Sequence, residues 1–139
     1  TICDYSKPSS RRRLYVLDLV NGRLLYHTFV AHGKNSGGEY TQSFSNLNSS
    51  HKSSLGFMIT DDTYFGGNGY SLHFNGVERG INDQVRNRAI VMHGSNYVNA
   101  VRAARGTMMG RSYGCPAVPA EEAETIIDAI KGGTCFFAY

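Results

Sequence analysis

The sequence predicts a mostly β fold built as one domain over residues 1–139, with one or two short helices. Three observations carry this. Nine Tyr, seven Phe and sixteen Gly against only three Pro favour strands joined by tight turns. The Asn-Gly dipeptides at 21–22 and 75–76 follow apolar runs, and the first lies between two of them. A strong helical repeat occurs once, near the C-terminal end. A chain of 139 residues supports one core rather than two.

The elements follow in order. "RLYVLDL", Asn21-Gly22 and "LLYHTFVA" predict a hairpin. A polar Gly/Ser/Asn stretch from His32 to Ser54 is too long for a simple connection, and such loops are often functional. "LGFMIT" predicts a strand ending at a turn on Asp61-Asp62, and "GYSLHF" a second one. "RAIVMHG" predicts a buried strand that delivers His93 at its C-terminal end. "NYVNAVRAAR" predicts a short helix. A clearer one spans about 119–131: Pro119 suits its first position, and Glu121, Glu122 and Glu124 complement its N-terminus. Its apolar face is Ala123, Ile126, Ile127 and Ile130, and Gly132-Gly133 end it. "TCFFAY" closes the chain as a strand.

Composition narrows the function classes. A formal charge of +3 is too modest to argue for a nucleic-acid partner. The "RRR" at 11–13 reads as a solvated strand entrance. No apolar run reaches the roughly 18 residues of a membrane helix, so membrane insertion is not expected. No signal peptide opens the sequence, which begins at Thr1. Of three cysteines, Cys3 and Cys135 sit in apolar stretches at opposite ends. A disulfide fits if their strands are neighbours; two buried free thiols is the plainer reading. No CxxC or His-rich spacing suggests a metal, and no cofactor is expected.

Cys115 stands apart, in "GRSYGCPAVP". Acyl transfer by cysteine needs a thiolate, a base and oxyanion donors. Cys115 can supply the sulfur, and the imidazole of His93, a side-chain type suited to general-base work, the base. Gly114 permits a bend that turns N–H groups toward one point, so the amides of Gly114, Cys115 and Tyr113 are oxyanion-hole candidates. Pro116 has no N–H and ends that run. On spacing alone the plainer reading, a buried Cys and a structural His, is the stronger one.

"AIVMHG…RSYGCPAVP" resembles the L,D-transpeptidase catalytic domain, the YkuD-like fold, in its divergent murein branch with Ser-x-Gly-Cys-Pro-Ala, here Ser112 to Ala117. "AHGKNSG", "FSN" and "SSLGF" are similar to it in the same order, so the resemblance covers roughly residues 12–120. It implies a β-sandwich or barrel in the bacterial cell envelope, periplasmic or exported, acting as a monomer on peptidoglycan stem peptides. It also implies a thioester on Cys115, made by cleaving an L-centre to D-Ala bond and passed to an amine. An L,D-carboxypeptidase that passes it to water is the nearest alternative, and a non-catalytic wall-binding domain a third. By the resemblance His93 is the base, and a carbonyl just after it, from Gly94 or Ser95, orients its ring. Two departures bear on substrate choice: Tyr113 fills a usual His position, and Ala117 replaces a usual Arg or Asn. Arg111 can compensate by binding a substrate carboxylate.

Further substrate-binding candidates are Ser112 within the motif, Tyr70, which with Tyr97 can line a groove, and His73, which can face a cleft. His27, His32 and His51 lack paired ligands. Asn46 is expected to order the long loop through side-chain to backbone bonds.

Overall fold

A computed structural model describes residues 1–139. Eight strands form one sheet: β1 (Ile2–Cys3), β2 (Leu14–Asp18), β3 (Arg23–Thr28), β4 (Gly56–Gly66), β5 (Gly69–Gly76), β6 (Val91–Ser95), β7 (Ala117–Pro119) and β8 (Cys135–Ala138). Their order is β3-β2-β1-β8-β4-β5-β6-β7. The two edges meet, because the chain leaving β3 pairs Ala31 with Ala117 of β7 and Gly33 with Ser112. The sheet therefore curls into a barrel-like closure that leaves β7 no free edge. Asn21-Gly22 turns the β2–β3 hairpin, with Gly22 at φ 63°, a conformation that favours glycine.

Strand alternation separates two faces. Leu72, Phe74 and Met92 point into the main core with Met58 and Phe136. Helix α2 (Ala120–Ile130) lies on that face, across β5, β6 and β7. Its buried stripe is the expected one: Ala123, Ile126, Ile127 and Ile130. Each isoleucine buried there contributes about 1.5–3 kcal/mol. Pro119 ends β7 and occupies the N-cap, one residue before the helix, so it makes no side-chain cap. At the other end Thr60 Oγ1 donates to the Ile130 carbonyl at 2.6 Å and accepts from Thr134 N–H at 2.8 Å. The short helix α1 (Ala100–Ala104) is capped by Asn99, whose side chain accepts from Arg102 N–H. The opposite sheet face carries a smaller cluster of Phe29, Ala31, Val98, Met109 and Ala117.

Several expectations are corrected. Asp61-Asp62 is not a turn: β4 continues to Gly66, and the pairing shifts between Thr60↔Phe74 and Thr63↔Leu72. Two residues thus oppose His73 alone, which is a β-bulge. It persists because Asn75, Arg86 and His73 satisfy both carboxylates. The strand expected from Arg88 begins only at Val91, since Ala89 takes a left-handed φ of 54°. Cys3 and Cys135 are unlinked although β1 and β8 are neighbours. Their register sets Cys3 against Ala138, and Cys135 is exposed rather than buried.

Arg13 is fully buried rather than solvated. Its Nη2 donates to His32 Nδ1 at 2.8 Å, which leaves His32 Nε2–H to donate to the Gly37 carbonyl at 3.3 Å. Burial and then the Arg13 charge push the His32 imidazole down to about 4 from its ordinary 6.5. The unfolded chain takes up this proton near pH 6.5 while the folded one resists it to about pH 4. Stability from His32 is therefore complete above pH 6.5 and is lost as pH falls toward 4, by about 3 kcal/mol. Denaturant midpoints between pH 7 and about 4.5 should fall accordingly, ahead of most carboxylate protonation. A flat profile in that window would contradict the buried neutral imidazole.

Candidate active site

The sheet register assembles the site. In the parallel pair β6–β7, His93 lies opposite Ala117. Carried two residues back, that register sets Cys115 beside Val91. The Val91 N–H indeed donates to Cys115 Sγ at 3.4 Å. On the other side of β6, His93 faces Ser71 and Val91 faces His73. With a period of two, Cys115, His93, His73 and Ser71 share the sheet face opposite α2. One row therefore runs His73–Val91–Cys115, and the next Ser71–His93–Ala117.

His93 is buried, and its Nδ1 donates to the Gly94 carbonyl at 3.0 Å. That bond directs the Nε2 lone pair away from the strand. Gly94 is required by packing, since a Cβ there would sit 2.8 Å from Ala123 Cβ and 3.1 Å from Ala120 Cα. Gly94 thereby lets the first turn of α2 close on β6.

The turn around Cys115 is braced from within. Ser112 N–H donates to the His32 carbonyl at 3.0 Å, and Ser112 Oγ donates to the Cys115 carbonyl at 2.6 Å. Gly114 N–H donates to Ser112 Oγ at 3.1 Å, so this amide is spent inside the turn and is not a free oxyanion donor. The amides of Cys115 and Tyr113 make no hydrogen bond within the protein. Gly114 has φ 117°, and a Cβ on it would meet the Lys52 carbonyl at 2.7 Å.

Arg88, which the sequence reading folded into a strand, pins the polar loop onto this turn. Its Nη1 donates to Ser45 O at 2.6 Å and Ser54 Oγ at 2.9 Å. Its Nη2 donates to Ser50 Oγ at 3.0 Å and Lys52 O at 2.7 Å. Burial pushes the Cys115 thiol up, while the Val91 amide and the Arg88 charge pull it down. The thiol lies 3.7 Å from the Ala89 carbonyl, and no hydrogen bond joins it to His93. Burial is the largest of these influences on the thiol, and catalytic contacts in unliganded sites commonly tighten only around substrate.

The remaining candidates divide. Ser112 is buried and braces the turn rather than facing a ligand. Tyr70 shares the α2 face with Leu72, and its hydroxyl donates to Asp128 at 2.7 Å, which removes it from the cysteine face. Tyr97 packs on the smaller cluster. Arg111 lies at the rim, its Nη1 on the Lys34 and Gly37 carbonyls at 3.1 and 3.0 Å. Tyr113 is 66% exposed beside the thiol. Its ring stacks on His51 at 4.3 Å, and Lys34 Nζ lies 4.8 Å from its centroid. Nothing in the sequence marks Lys34 or Arg88 as bearing on this turn, and His51 stands there only as a histidine without paired ligands. The Asp61-Asp62 doublet did leave a signal, and it read as a turn. Asn46 bonds Gln84 N–H as expected, and also Asp83.

No group of three or more His, Cys, Asp or Glu side chains is placed to hold a metal ion. No helix is long and apolar enough to cross a membrane.

The sequence matches the family described as L,D-transpeptidase catalytic domain over residues 1–139. Among solved structures it is similar to an L,D-transpeptidase from Xylanimonas cellulosilytica, at 15% identity and a TM-score of 0.51. That likeness covers 99% of this chain and 58% of the other, so the chain spans little more than half its neighbour's length. No curated protein matches the sequence. A barrel-like β fold shared with that structure, and a family match over the whole chain, place this protein in the L,D-transpeptidase catalytic domain family.

Proposed function

We propose that the protein is a cysteine acyltransferase that crosslinks peptidoglycan stem peptides outside the cytoplasm. The observation that supports this most is the register that sets Cys115 beside Val91 and His93 in the adjacent row of the same face. His93 takes the Cys115 proton, and the sulfur attacks the carbonyl carbon of the L-centred residue. The Cys115 and Tyr113 amides are free to receive the oxyanion. The C–N bond breaks, His93 returns the proton to the leaving amine of D-Ala, and a thioester remains. An acceptor amine then attacks that carbonyl, the C–S bond breaks and the thiol is regenerated. Lys34 and Arg111 at the rim offer charge for a donor carboxylate.

Incubation with a disaccharide-tetrapeptide, read by mass spectrometry, tests this. Crosslinked dimers with release of D-Ala are the expected products. Tripeptides alone would mean that water is the acceptor, and unchanged substrate would refute acyl transfer altogether.

A further inference from the structure

Arg88 carries a charge that the steps above leave unused. Its Nη1 and Nη2 place all their N–H groups on the polar loop, at Ser45 O, Ser54 Oγ, Ser50 Oγ and Lys52 O. The remaining donor, Nε–H, is buried and has no partner. Arg88 takes part in none of the ion pairs of the fold. The one acidic side chain whose charge acts on it is Cys115. A half-buried guanidinium has lost much of its hydration, and here only neutral acceptors compensate that loss. A left-over buried donor and an unopposed charge on one side chain call for a function.

The fold joins this side chain to the thiol from two sides. On the loop side, Lys52 O accepts from Nη2 at 2.7 Å and lies 2.7 Å from where a Cβ on Gly114 would stand. Loop and turn therefore touch one residue before the sulfur. His51 of the same pinned loop stacks on Tyr113 at 4.3 Å, one residue further back. On the chain side, Ala89 follows Arg88 with a left-handed φ of 54°, a conformation that alanine adopts only where its surroundings hold it. The Ala89 carbonyl accepts from Cys115 Sγ at 3.7 Å, and the Val91 N–H donates to the same sulfur at 3.4 Å. The stretch from Arg88 to Val91 thus sets Sγ between a carbonyl and an amide, and carries the clamped charge at its head.

We propose that Arg88 is a positioning residue of the nucleophile, its clamped guanidinium serving as the fixed counter-charge of the Cys115 thiolate. The proposal rests on the acyl-enzyme reading above, whose thiolate it accounts for. When His93 takes the thiol proton, a sulfur buried away from water acquires a full negative charge. The guanidinium is already held in place by its loop acceptors, so nothing has to reorganise at that moment. The Ala89 carbonyl loses its donor, and the Val91 amide gains a charged acceptor. Attack on the L-centred carbonyl then moves the charge from sulfur to the oxyanion, and the thioester leaves Arg88 unopposed again. Arg88 makes no hydrogen bond to the sulfur; it acts through the charge state and the place of the thiol.

The test is the pH profile of iodoacetamide alkylation at Cys115, read by peptide mass in a Cys135→Ser background, with Arg88 intact and in Arg88→Gln, Arg88→Lys and Ser50→Ala. Only the thiolate reacts, so the midpoint of the profile reports its stability. Arg88→Gln should raise the midpoint by about one pH unit, a roughly tenfold loss of thiolate at pH 7. Arg88→Lys keeps the charge without the planar fork, so it should recover most of that shift. Ser50→Ala frees one donor of the clamp and keeps the charge, so its midpoint should stay with the parent. The other charged or titratable groups around the thiol are His93 on β6, Tyr97 beyond it, Lys52 of the loop, and Tyr113 with His51 and Lys34 on its ring. All are common to the Arg88 variants, so a difference between glutamine and lysine at position 88 belongs to the charge. An unmoved midpoint in Arg88→Gln would overturn the proposal. So would equal shifts in Arg88→Gln and Arg88→Lys, because lost loop order would then account for both. Where Arg88→Gln does not fold, Ser50→Ala still decides, since a midpoint raised as far with Arg88 in place would overturn the counter-charge. A wild type that releases no D-Ala from disaccharide-tetrapeptide would refute the acyl-enzyme reading whatever the alkylation profile, whereas D-Ala release with an unmoved midpoint would refute the counter-charge alone.

Discussion

Cys115→Ala is expected to abolish release of D-Ala, by at least about 1,000-fold, while leaving the fold intact. The sulfur is the one atom that forms the covalent intermediate, and no neighbour can replace it. The cost to stability is small. The side chain accepts one long hydrogen bond, from the Val91 amide, and alanine removes a single heavy atom. The lost contact costs about 1 kcal/mol, so the melting temperature should fall by only a few degrees. The measurement must be specific to the site. Cys135 is exposed, whereas burial pushes the Cys115 thiol up. A general alkylating reagent should therefore label Cys135 first and report nothing about the nucleophile. A carbapenem adduct seen by intact mass is the sharper probe. It should form in Cys135→Ser and be absent in Cys115→Ala. An adduct that persists in Cys115→Ala would overturn the assignment of the nucleophile.

Local signals in the sequence were enough for the β2–β3 hairpin and for α2. Asn21-Gly22 and the Ala123/Ile126/Ile127/Ile130 stripe each act within a few residues. The Cys115 turn was legible for the same reason, since Gly114 and Pro116 flank the thiol in the chain. What the sequence concealed depends on distant partners. Arg88 stands at the head of an apolar run, and only its bonds to residues 45–54 reveal a clamp. The Asp61-Asp62 doublet reads as a turn until Asn75, Arg86 and His73 arrive to satisfy it. Tyr70 and His73 are three residues apart on one strand, so alternation places them on opposite faces, and the structure puts Tyr70 against α2. The Gly114 amide was misjudged for a subtler reason. A bend that exposes N–H groups also lets a nearby hydroxyl capture one, and Ser112 does so.

Arg13→Met should be the most damaging single change to stability, at about 3–5 kcal/mol. The guanidinium is fully buried and forms no ion pair; its partners are carbonyls, a hydroxyl and an imidazole. Nε and Nη2 both donate to the Val30 carbonyl at 3.0 and 2.8 Å, and Nη1 donates to the Lys7 carbonyl at 2.8 Å. The Tyr5 ring lies 5.1 Å from its central carbon. Methionine fills similar volume, so the loss is not a cavity. It is the stranding of two carbonyls and of His32 Nδ1 in a place water reaches poorly. Lysine keeps the charge but cannot reproduce the fork, so Arg13→Lys should recover only part of the loss. The damage should also reach the thiol, because the partners form a chain. Arg13 holds the His32 ring, the His32 carbonyl accepts from Ser112 N–H, and Ser112 Oγ holds the Cys115 carbonyl. Arg13→Met should therefore slow carbapenem acylation even at temperatures where the variant stays folded. It should also flatten the stability profile between pH 6.5 and 4, because the Arg13 charge is the second cause, after burial, that holds His32 neutral. Thermal melts at pH 7 and pH 4.5, paired with acylation rates at low temperature, separate these effects. An acylation rate equal to wild type in the folded variant would show that the chain from Arg13 to Cys115 does not set the position of the thiol.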